Sequence, residues 1–398
     1  MVQQILSDKR AISIAVKTQL EKDIDVLNSI EELKELSRLC KIEIVDYMIQ
    51  RMEKVNFFHY IGKGKIEDLK EKIKKLEIDI VVADSELTNV QIKNLEEALG
   101  IKVIDRTEII LDVFYQAAKT KETKLLFEMA KLRYRILRCS EDKKELLKEK
   151  LNYLQKELKE IDRHYELLKE NRRKSTIPVV AIVGYSNVGK SSILNTLANE
   201  NIYVEDKLFA TMDPTTRLVK LPSKGEALFT DTVGFIRKLP KNLLNLFHIS
   251  ISEIKNADVV IHVMDASAKD LYEKKLVVDN TLDYLGVDKN KIIQVFNKVD
   301  LVEDVSTQQE ESILISVKDN ININRLLIKV ESMLKSRLEE IELLIPYEDT
   351  DILSTIYANG EDISEDYKEV GICVKGYIKK EKAYLVKKYY IAGNDIFI

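Results

Sequence analysis

The chain has 398 residues, 33% of them charged, and a formal net charge of −4. That length predicts two to four domains rather than one core, and the acidic balance excludes nucleic-acid binding by bulk charge, so any basic surface must be local. Three scattered cysteines (Cys40, Cys139, Cys373) exclude a disulfide framework and a zinc spacing; the first ten residues lack a signal-peptide core and no apolar run approaches a membrane span, so the cytoplasm is the expected compartment.

Residues 1–115 alternate strand-like and helix-like pieces. Ala11–Val16, Ile42–Val45, Ile78–Ala83 and Lys102–Asp105 read as strands. Ile24–Leu39, Ile66–Leu76 and Asn89–Leu99 read as helices, the last closed by Gly100 as a C-cap. Such alternation predicts a small parallel α/β sheet. Gly62-Lys-Gly-Lys65 reads as a short turn, either with solvated lysines or in contact with a phosphate or RNA backbone.

From 107 to 174 there is no glycine or proline, and helix formers dominate. One helix is expected from Ile109 to Leu137, with Leu125, Met129 and Leu132 on its apolar face. In the next, Leu147, Leu151, Leu154, Leu158, Ile161, Tyr165 and Leu168 follow a heptad spacing. An antiparallel hairpin with its turn near Cys139–Asp142 is the economical reading, and a dimeric coiled coil the competing one. Residues 116–174 carry 18 basic and 11 acidic side chains, ending in Asn171-Arg-Arg-Lys174, which favours contact with a polyanion.

The next segment carries the chemistry. Val179–Val183 is a buried-strand run, and Ser192–Ala198 reads as a helix. Between them lies Gly184-Tyr185-Ser186-Asn187-Val188-Gly189-Lys190-Ser191, a G-x-x-x-x-G-K-S phosphate loop in the strand-to-helix setting that the motif requires. Its backbone N–H groups and the helix N-terminus cradle phosphates. Lys190 reaches the outer phosphates, Ser191 offers a hydroxyl to Mg²⁺, and Ser192 continues the binding loop. A switch segment follows in Phe209-Ala210-Thr211-Met212-Asp213-Pro214. Thr211 is expected to give its hydroxyl to Mg²⁺, with Thr215 and Thr216 as alternatives. Ala227–Asp231 is a strand delivering Asp231 to Mg²⁺ through water, and in Asp231-Thr232-Val233-Gly234 the glycine N–H meets the γ-phosphate.

Base choice comes later. Asn297-Lys298-Val299-Asp300 follows the strand Ile292–Phe296. In such an N-K-x-D loop the aspartate accepts from guanine N1 and N2, Asn297 braces the loop and the Lys298 stem covers the base. Adenine lacks that donor pair, so GTP and GDP are the expected ligands. Ser316-Val317-Lys318, after the strand from Ile313, is placed to meet guanine O6. Lys190, Thr211 and Gly234 are the expected catalytic residues. Where a water-orienting glutamine commonly follows the glycine, this chain has Phe235. Hydrolysis should then be slow alone and need a group from elsewhere: a reoriented switch, a cation or a partner surface. Arg217 and Arg237 are arginine-finger candidates by position only.

The reading divides the chain into an α/β domain (1–115), a helical arm (116–175), a P-loop nucleotide domain with a mostly parallel sheet (176–336) and a small α+β tail (337–398). The tail holds 8 basic and 13 acidic residues, with strand-like runs at Gly371–Tyr377 and Ala383–Lys387.

Several of these stretches together resemble one family. Val81-Val-Ala-Asp84 through Glu96, Val103-Ile-Asp105-Arg106-Thr107 through Leu111-Asp112, Ala117–Leu125 and Gly62–Lys65 are similar to the N-terminal domain of HflX GTPases. The phosphate loop, Phe209–Pro214 and Asp231-Thr-Val-Gly-Phe-Ile-Arg237-Lys-Leu-Pro240 match the same family, and the likeness spans most of residues 55–320. It supports Thr211 as the switch threonine and implies that a hydrophobic residue at Phe235 is normal. It also implies binding to the large ribosomal subunit, with the N-terminal domain and arm reaching toward the peptidyl-transferase region, ribosome splitting under stress, ribosome-stimulated hydrolysis and, in some members, ATP use. One departure stands out. The family's G-G-x-G-x-R-G-P-G-E loop in the arm is missing, and no glycine occurs between Gly100 and Gly184. Its loss bears on ribosome splitting more than on ribosome or RNA binding, and leaves GTP chemistry untouched. The alternatives are a GTP-switched RNA-binding or assembly factor without splitting activity, and a GTP-controlled dimer.

Overall fold

The computed structural model describes residues 9–19, 21–139, 141–173, 177–199, 214–223, 225–240, 243, 245–302 and 312–391. It begins with four parallel strands, β1 (Lys9–Lys17), β2 (Ile42–Arg51), β3 (Ile80–Ala83) and β4 (Lys102–Asp105), in the order β2-β1-β3-β4. The apolar runs of β1 and β3 are continuous because both faces are covered, whereas edge strand β2 alternates buried and exposed residues. Ile80 and Val82 of β3 face one core with helices α1 (Asp23–Leu39) and α4 (Arg106–Ala117). Val81 and Ala83 face another core with α2 (Lys63–Leu76) and α3 (Asn89–Leu99). Thr88 caps α3 by accepting from the Gln91 N–H, and Gly100 closes it in the left-handed conformation with φ 71°.

Three expectations need correction here. Gly62-Lys-Gly-Lys65 is no turn: Gly62 is the N-cap of α2 and the following three residues are its first turn. The helix expected from Ile109 to Leu137 is two, because Ala118 takes an extended conformation and the Thr120 hydroxyl caps α5 (Lys121–Ile136) by accepting from the Thr123 N–H at 3.2 Å. The run Ala383–Lys387 lies in 3₁₀ turns, Lys380–Leu385 and Lys387–Tyr389, rather than a strand.

The helical hairpin forms as read. α6 (Glu141–Arg173) returns along α5, and Leu147, Leu151, Leu154 and Leu158 pack on Leu125, Met129 and Leu132. Ion pairs Lys121–Glu157 (2.5 Å) and Lys150–Glu128 (2.7 Å) flank this seam. Over 147–158 the heptad face is therefore spent within the chain. The seam positions Ile161, Tyr165 and Leu168 have side chains outside the described residues, as do Asn171–Arg173; Lys174 lies outside altogether.

The nucleotide domain is a six-stranded sheet, built from β5 (Val179–Gly184), β6 (Thr215–Lys220), β7 (Glu226–Asp231), β8 (Val259–Asp265), β9 (Ile292–Asn297) and β10 (Ile313–Leu314). The order is β10-β9-β8-β5-β7-β6, parallel except for β6 against β7. Helices flank it, including α7 (Lys190–Leu197). The tail is a three-stranded antiparallel sheet, β11 (Leu338–Ile345), β13 (Gly371–Lys379) and β12 (Gly360–Lys368), with the helix Ile352–Asn359 on it. The architecture is thus the α/β one expected. No described helix is long and apolar enough to cross a membrane, and the three thiols are free.

The first and third domains share a core. Val233, Ile236, Leu243 and Phe247, which follow β7, pack into the cluster of α1, α4 and α5. The Phe247 ring meets Phe114 edge-on at 5.1 Å and Phe127 at 5.7 Å between centroids. The nucleotide site is thereby held against the N-terminal domain.

Candidate nucleotide site

β5 runs through the middle of the sheet with Val180–Val183 fully buried, and it delivers Gly184 into the phosphate loop. The loop needs glycine at two points for different reasons. At Gly184 a Cβ would lie 2.3 Å from the Val263 carbonyl oxygen, while Gly189 has φ 92° and a Cβ there would meet Asn297 Nδ2 at 2.5 Å. Between them Asn187 also adopts positive φ, 62°. Lys190 opens α7 and is buried, its Nζ donating to the Tyr185 carbonyl at 2.8 Å. Burial pushes its ammonium down to about 8, with Asp231 pulling the other way. A buried cation at a helix N-terminus suits a polyanionic ligand. The Ser186 hydroxyl beside it is buried with no hydrogen-bond partner.

β7 lies next to β5, with Asp231 opposite Ile182. Asp231 is 1% exposed, and Ser191 Oγ donates to its Oδ2 at 2.5 Å. These two hard oxygens converge in the way a divalent cation such as Mg²⁺ requires. Thr232 is fixed by its hydroxyl to the Ile182 carbonyl (2.8 Å). The next residues are stitched onto the phosphate loop. The Phe235 N–H donates to the Gly184 carbonyl at 3.1 Å and the Ser186 N–H to the Phe235 carbonyl at 2.9 Å. Gly234 sits so close that a Cβ would lie 2.7 Å from Ser186 Cα and 3.0 Å from Lys190 Nζ. Val233 points into the interdomain core and the Phe235 ring into the core of the nucleotide domain. Phe235 therefore has no polar group to offer water.

Two more strand ends complete the site. Asn297, 2% exposed at the end of β9, donates to the Val188 carbonyl at 2.9 Å and accepts from the Val317 N–H at 3.3 Å, bracing both loops. Lys298, at φ 65°, donates to the Asn187 carbonyl at 3.1 Å and pairs with Asp265 at 2.8 Å. Asp300 Oδ1 accepts from the Ser316 hydroxyl at 2.6 Å, and Ser316 is itself fully buried. The Val299 N–H bonds the Ile315 carbonyl at 3.3 Å, and Lys318 is exposed at the rim. The phosphate loop, Asp231–Gly234, Asn297–Asp300 and Ser316–Lys318 thus converge at the carboxyl ends of parallel strands, where open α/β sheets bind ligands.

Phe209, Ala210, Thr211, Met212 and Asp213 lie outside the described residues. Thr215 and Thr216 begin β6, and the Thr216 hydroxyl is 3.0 Å from that of Thr230. Of the two arginine candidates, Arg217 is in β6, and Arg237 is 8% exposed with its guanidinium on Asp270 at 2.8 Å. The Arg237 side chain is committed to that carboxylate.

Sequence reasoning missed one feature altogether. The N-terminal domain touches the phosphate loop through buried charges. Tyr185 OH donates to Glu32 of α1 and accepts from the Arg237 N–H at 2.8 Å. Glu32 also pairs with Arg106, which is 1% exposed and holds Asp84 at 2.9 Å. Asp84 in turn takes Lys238 at 2.6 Å. Burial, reinforced by Glu32, raises the Tyr185 phenol well above its ordinary range. Asp84 and Arg106 stood in the stretches that carry the resemblance, but nothing in their spacing paired them with residues near 185 and 238.

Two family models match: "GTP-binding GTPase N-terminal" over residues 27–115 and "50S ribosome-binding GTPase" over residues 179–298. A protein named GTPase HflX from Caldanaerobacter subterraneus subsp. tengcongensis is 41% identical over 404 aligned positions, covering 96% of this chain and 94% of that protein. GTPase HflX from Lacrimispora saccharolytica is 38% identical, covering 94% of each. Among solved structures, a GTP-binding protein of the archaeon Sulfolobus solfataricus in complex with GDP has TM-score 0.42 at 23% identity, covering 82% of this chain and 99% of its own.

Proposed function

The chain belongs to the HflX family of GTPases and hydrolyses GTP, and we propose that it binds the large ribosomal subunit in its GTP form and dissociates or remodels the ribosome. One observation supports the chemistry above the rest: buried Lys190, the Ser191–Asp231 oxygen pair and the braced Asn297–Asp300 loop meet at one edge of one sheet. The ribosomal partner is supported by the description of the matching nucleotide-domain model and by the local basic excess of the arm.

In this reading the phosphate-loop N–H groups and Lys190 hold the β and γ phosphates. The Gly234 N–H takes a γ-phosphate oxygen. Ser191 and Thr211 would ligate Mg²⁺ directly and Asp231 through water, and the ion supplies positive charge against the phosphates. Asp300 accepts from the guanine edge, the Lys298 stem covers the base and the Ser316–Lys318 backbone meets O6. The Phe235 ring is packed in the core and Arg237 is paired with Asp270, so in this reading the group that orients water comes from the ribosome or from a switch or cation that the ribosome positions. The four segments bounded at 115, 175 and 336 act as N-terminal domain, arm, nucleotide domain and tail. The proposed compartment is the cytoplasm.

The test is GTP hydrolysis at fixed salt, with and without purified large subunits and whole ribosomes, beside Lys190→Ala. Stimulation that disappears in the Lys190 variant is expected. Basal turnover that neither particle changes would overturn the ribosomal partner. Stimulation by free large subunits alone would instead favour an assembly factor without splitting activity, a reading favoured by the arm's missing glycine loop.

A further inference from the structure

The loop between β2 and α2 gives two phenylalanines to solvent. Phe57 is 68% and Phe58 59% exposed, and their rings meet edge to face with centroids 5.4 Å apart. The turn beneath them is firmly held. Asn56 Oδ1 accepts from the Phe58 N–H (2.8 Å) and the His59 N–H (2.9 Å). Asn56 and Tyr60 exchange backbone bonds of 3.0 and 3.3 Å, and Tyr60 is buried at φ 65°. From α3, Gln91 donates to the Asn56 carbonyl at 2.7 Å and Asn94 to the Phe58 carbonyl at 2.9 Å. These bonds fix the backbone from which the two rings project.

The surroundings continue the surface. Val55 precedes the turn (43% exposed), Val90 stands on α3 (45%), and Leu137 at the hairpin turn is 65% exposed, its carbonyl accepting from Asn89. The loop itself, 52–62, carries one acid and one base, Glu53 and Lys54, and the other lysines lie on its α2 side. From 54 to 65 the chain has Lys54, Lys63 and Lys65 and no acidic residue, in a protein whose total is −4. Lys65 is engaged with Asp68 at 3.0 Å, while Lys63 heads α2, whose first turn has no acid. Rigid exposed aromatics beside lysines are what unpaired nucleic-acid bases require: ring faces for stacking, cations for the backbone.

We propose, resting on the large-subunit reading above, that Phe57 and Phe58 form a stacking platform for unpaired bases of RNA, with Lys54 and Lys63 against the backbone phosphates. The full chain is titrated by fluorescence anisotropy with a short unstructured RNA and with an abasic oligomer of equal phosphate number, at fixed salt. Phe57→Ala/Phe58→Ala should weaken RNA binding about ten- to a hundredfold, and Phe57→Leu/Phe58→Leu nearly as much. Phe57→Tyr/Phe58→Tyr should retain affinity, and the abasic oligomer should bind the parent chain as weakly as RNA binds the alanine variant. Partner-free GTP hydrolysis should not change, because both rings are exposed and lie outside the nucleotide site.

Parental RNA affinity in the alanine variant would overturn the platform, as would equal binding of the abasic oligomer. Full affinity in the leucine variant would mark an apolar surface of the kind proteins use, and overturn it too. Failure of large subunits to stimulate the parent chain would remove the ribosomal partner, while the oligonucleotide titration would still decide the platform.

Discussion

Tyr185, the second residue of the phosphate loop, donates a hydrogen bond from its phenol to Glu32, 153 positions away on α1. The Arg237 N–H reaches the same phenol oxygen at 2.8 Å. A change in the segment after Gly234 is therefore felt at once by the phosphate loop and by the N-terminal domain. Tyr185→Phe should cost about 1–3 kcal/mol, the penalty for leaving Glu32 and an N–H short of a partner in a dry interface. Glu32→Ala should cost more, about 3–5 kcal/mol, because buried Arg106 loses one of the two carboxylates that balance it, Asp84 being the other. Denaturant melts of the two variants give the order; equal losses would mean that water reaches the network.

Lys190 makes nucleotide binding pH-dependent. Burial brings its amine down to about 8 from an ordinary 10.5. Phosphates that bind the ammonium restore the proton, so binding above about pH 8 should take up as much as one proton and weaken by up to tenfold per pH unit. The same shift affects stability without nucleotide. Between 8 and 10.5 the unfolded chain binds more protons at this lysine than the folded one. The amine thus destabilises the fold fully below that window, and the cost fades as pH rises through it. Calorimetric titration of GDP in buffers of different ionisation heat, at about pH 7 and about pH 9, reads the uptake. Equal proton counts at both values would show Lys190 already charged in the free protein.

Phe247 ties two domains into one cooperative unit. Its ring fills the centre of a trio with Phe114 and Phe127. Phe247→Ala should lose about 3–5 kcal/mol, and the N-terminal and nucleotide domains should then melt separately where the parent melts once. A single unshifted transition in the variant would contradict the shared core.

Asp300 is the proposed base-reading group. Its Oδ1 is already oriented by the Ser316 hydroxyl at 2.6 Å. Asp300→Ala should lower GTP affinity at least about tenfold, one charge-assisted hydrogen bond at minimum, with no gain for ATP. Unchanged binding of a fluorescent GTP analogue would remove the residue from the guanine site.

Much of the site was legible because its chemistry is local. A phosphate loop needs a strand, two glycines, a lysine and a hydroxyl within a dozen residues, and Val179–Leu197 supplies them in order. The N-K-x-D loop is likewise readable, since Asn297 braces Val188 in any such sheet. The heptad leucines also told their partner correctly: Leu154 is buried against Met129 and Leu132. The errors came where a weak local signal competed with periodicity. Thr120 broke a helix that contained no glycine or proline, because its hydroxyl could replace the missing N–H partner at 3.2 Å. Gly62 read as a turn because Gly and Lys punctuate turns, yet the Gln50 side chain accepts its N–H at 2.8 Å and the helix starts there.

The sequence by itself determined the family, the α/β class and the four segments that meet at the strand ends, since each rests on residues close together in the chain. Only the tertiary structure decided that Val233, Ile236, Leu243 and Phe247 lie in the N-terminal core and that Glu32 and Asp84 meet Tyr185, Arg237 and Lys238. The physical reason is range. A contact spanning 205 positions, as between Glu32 and Arg237, has no periodicity or spacing to announce it. It exists only once α1, α4, α5 and the segment after β7 have buried a common apolar core and brought these charged groups together out of water.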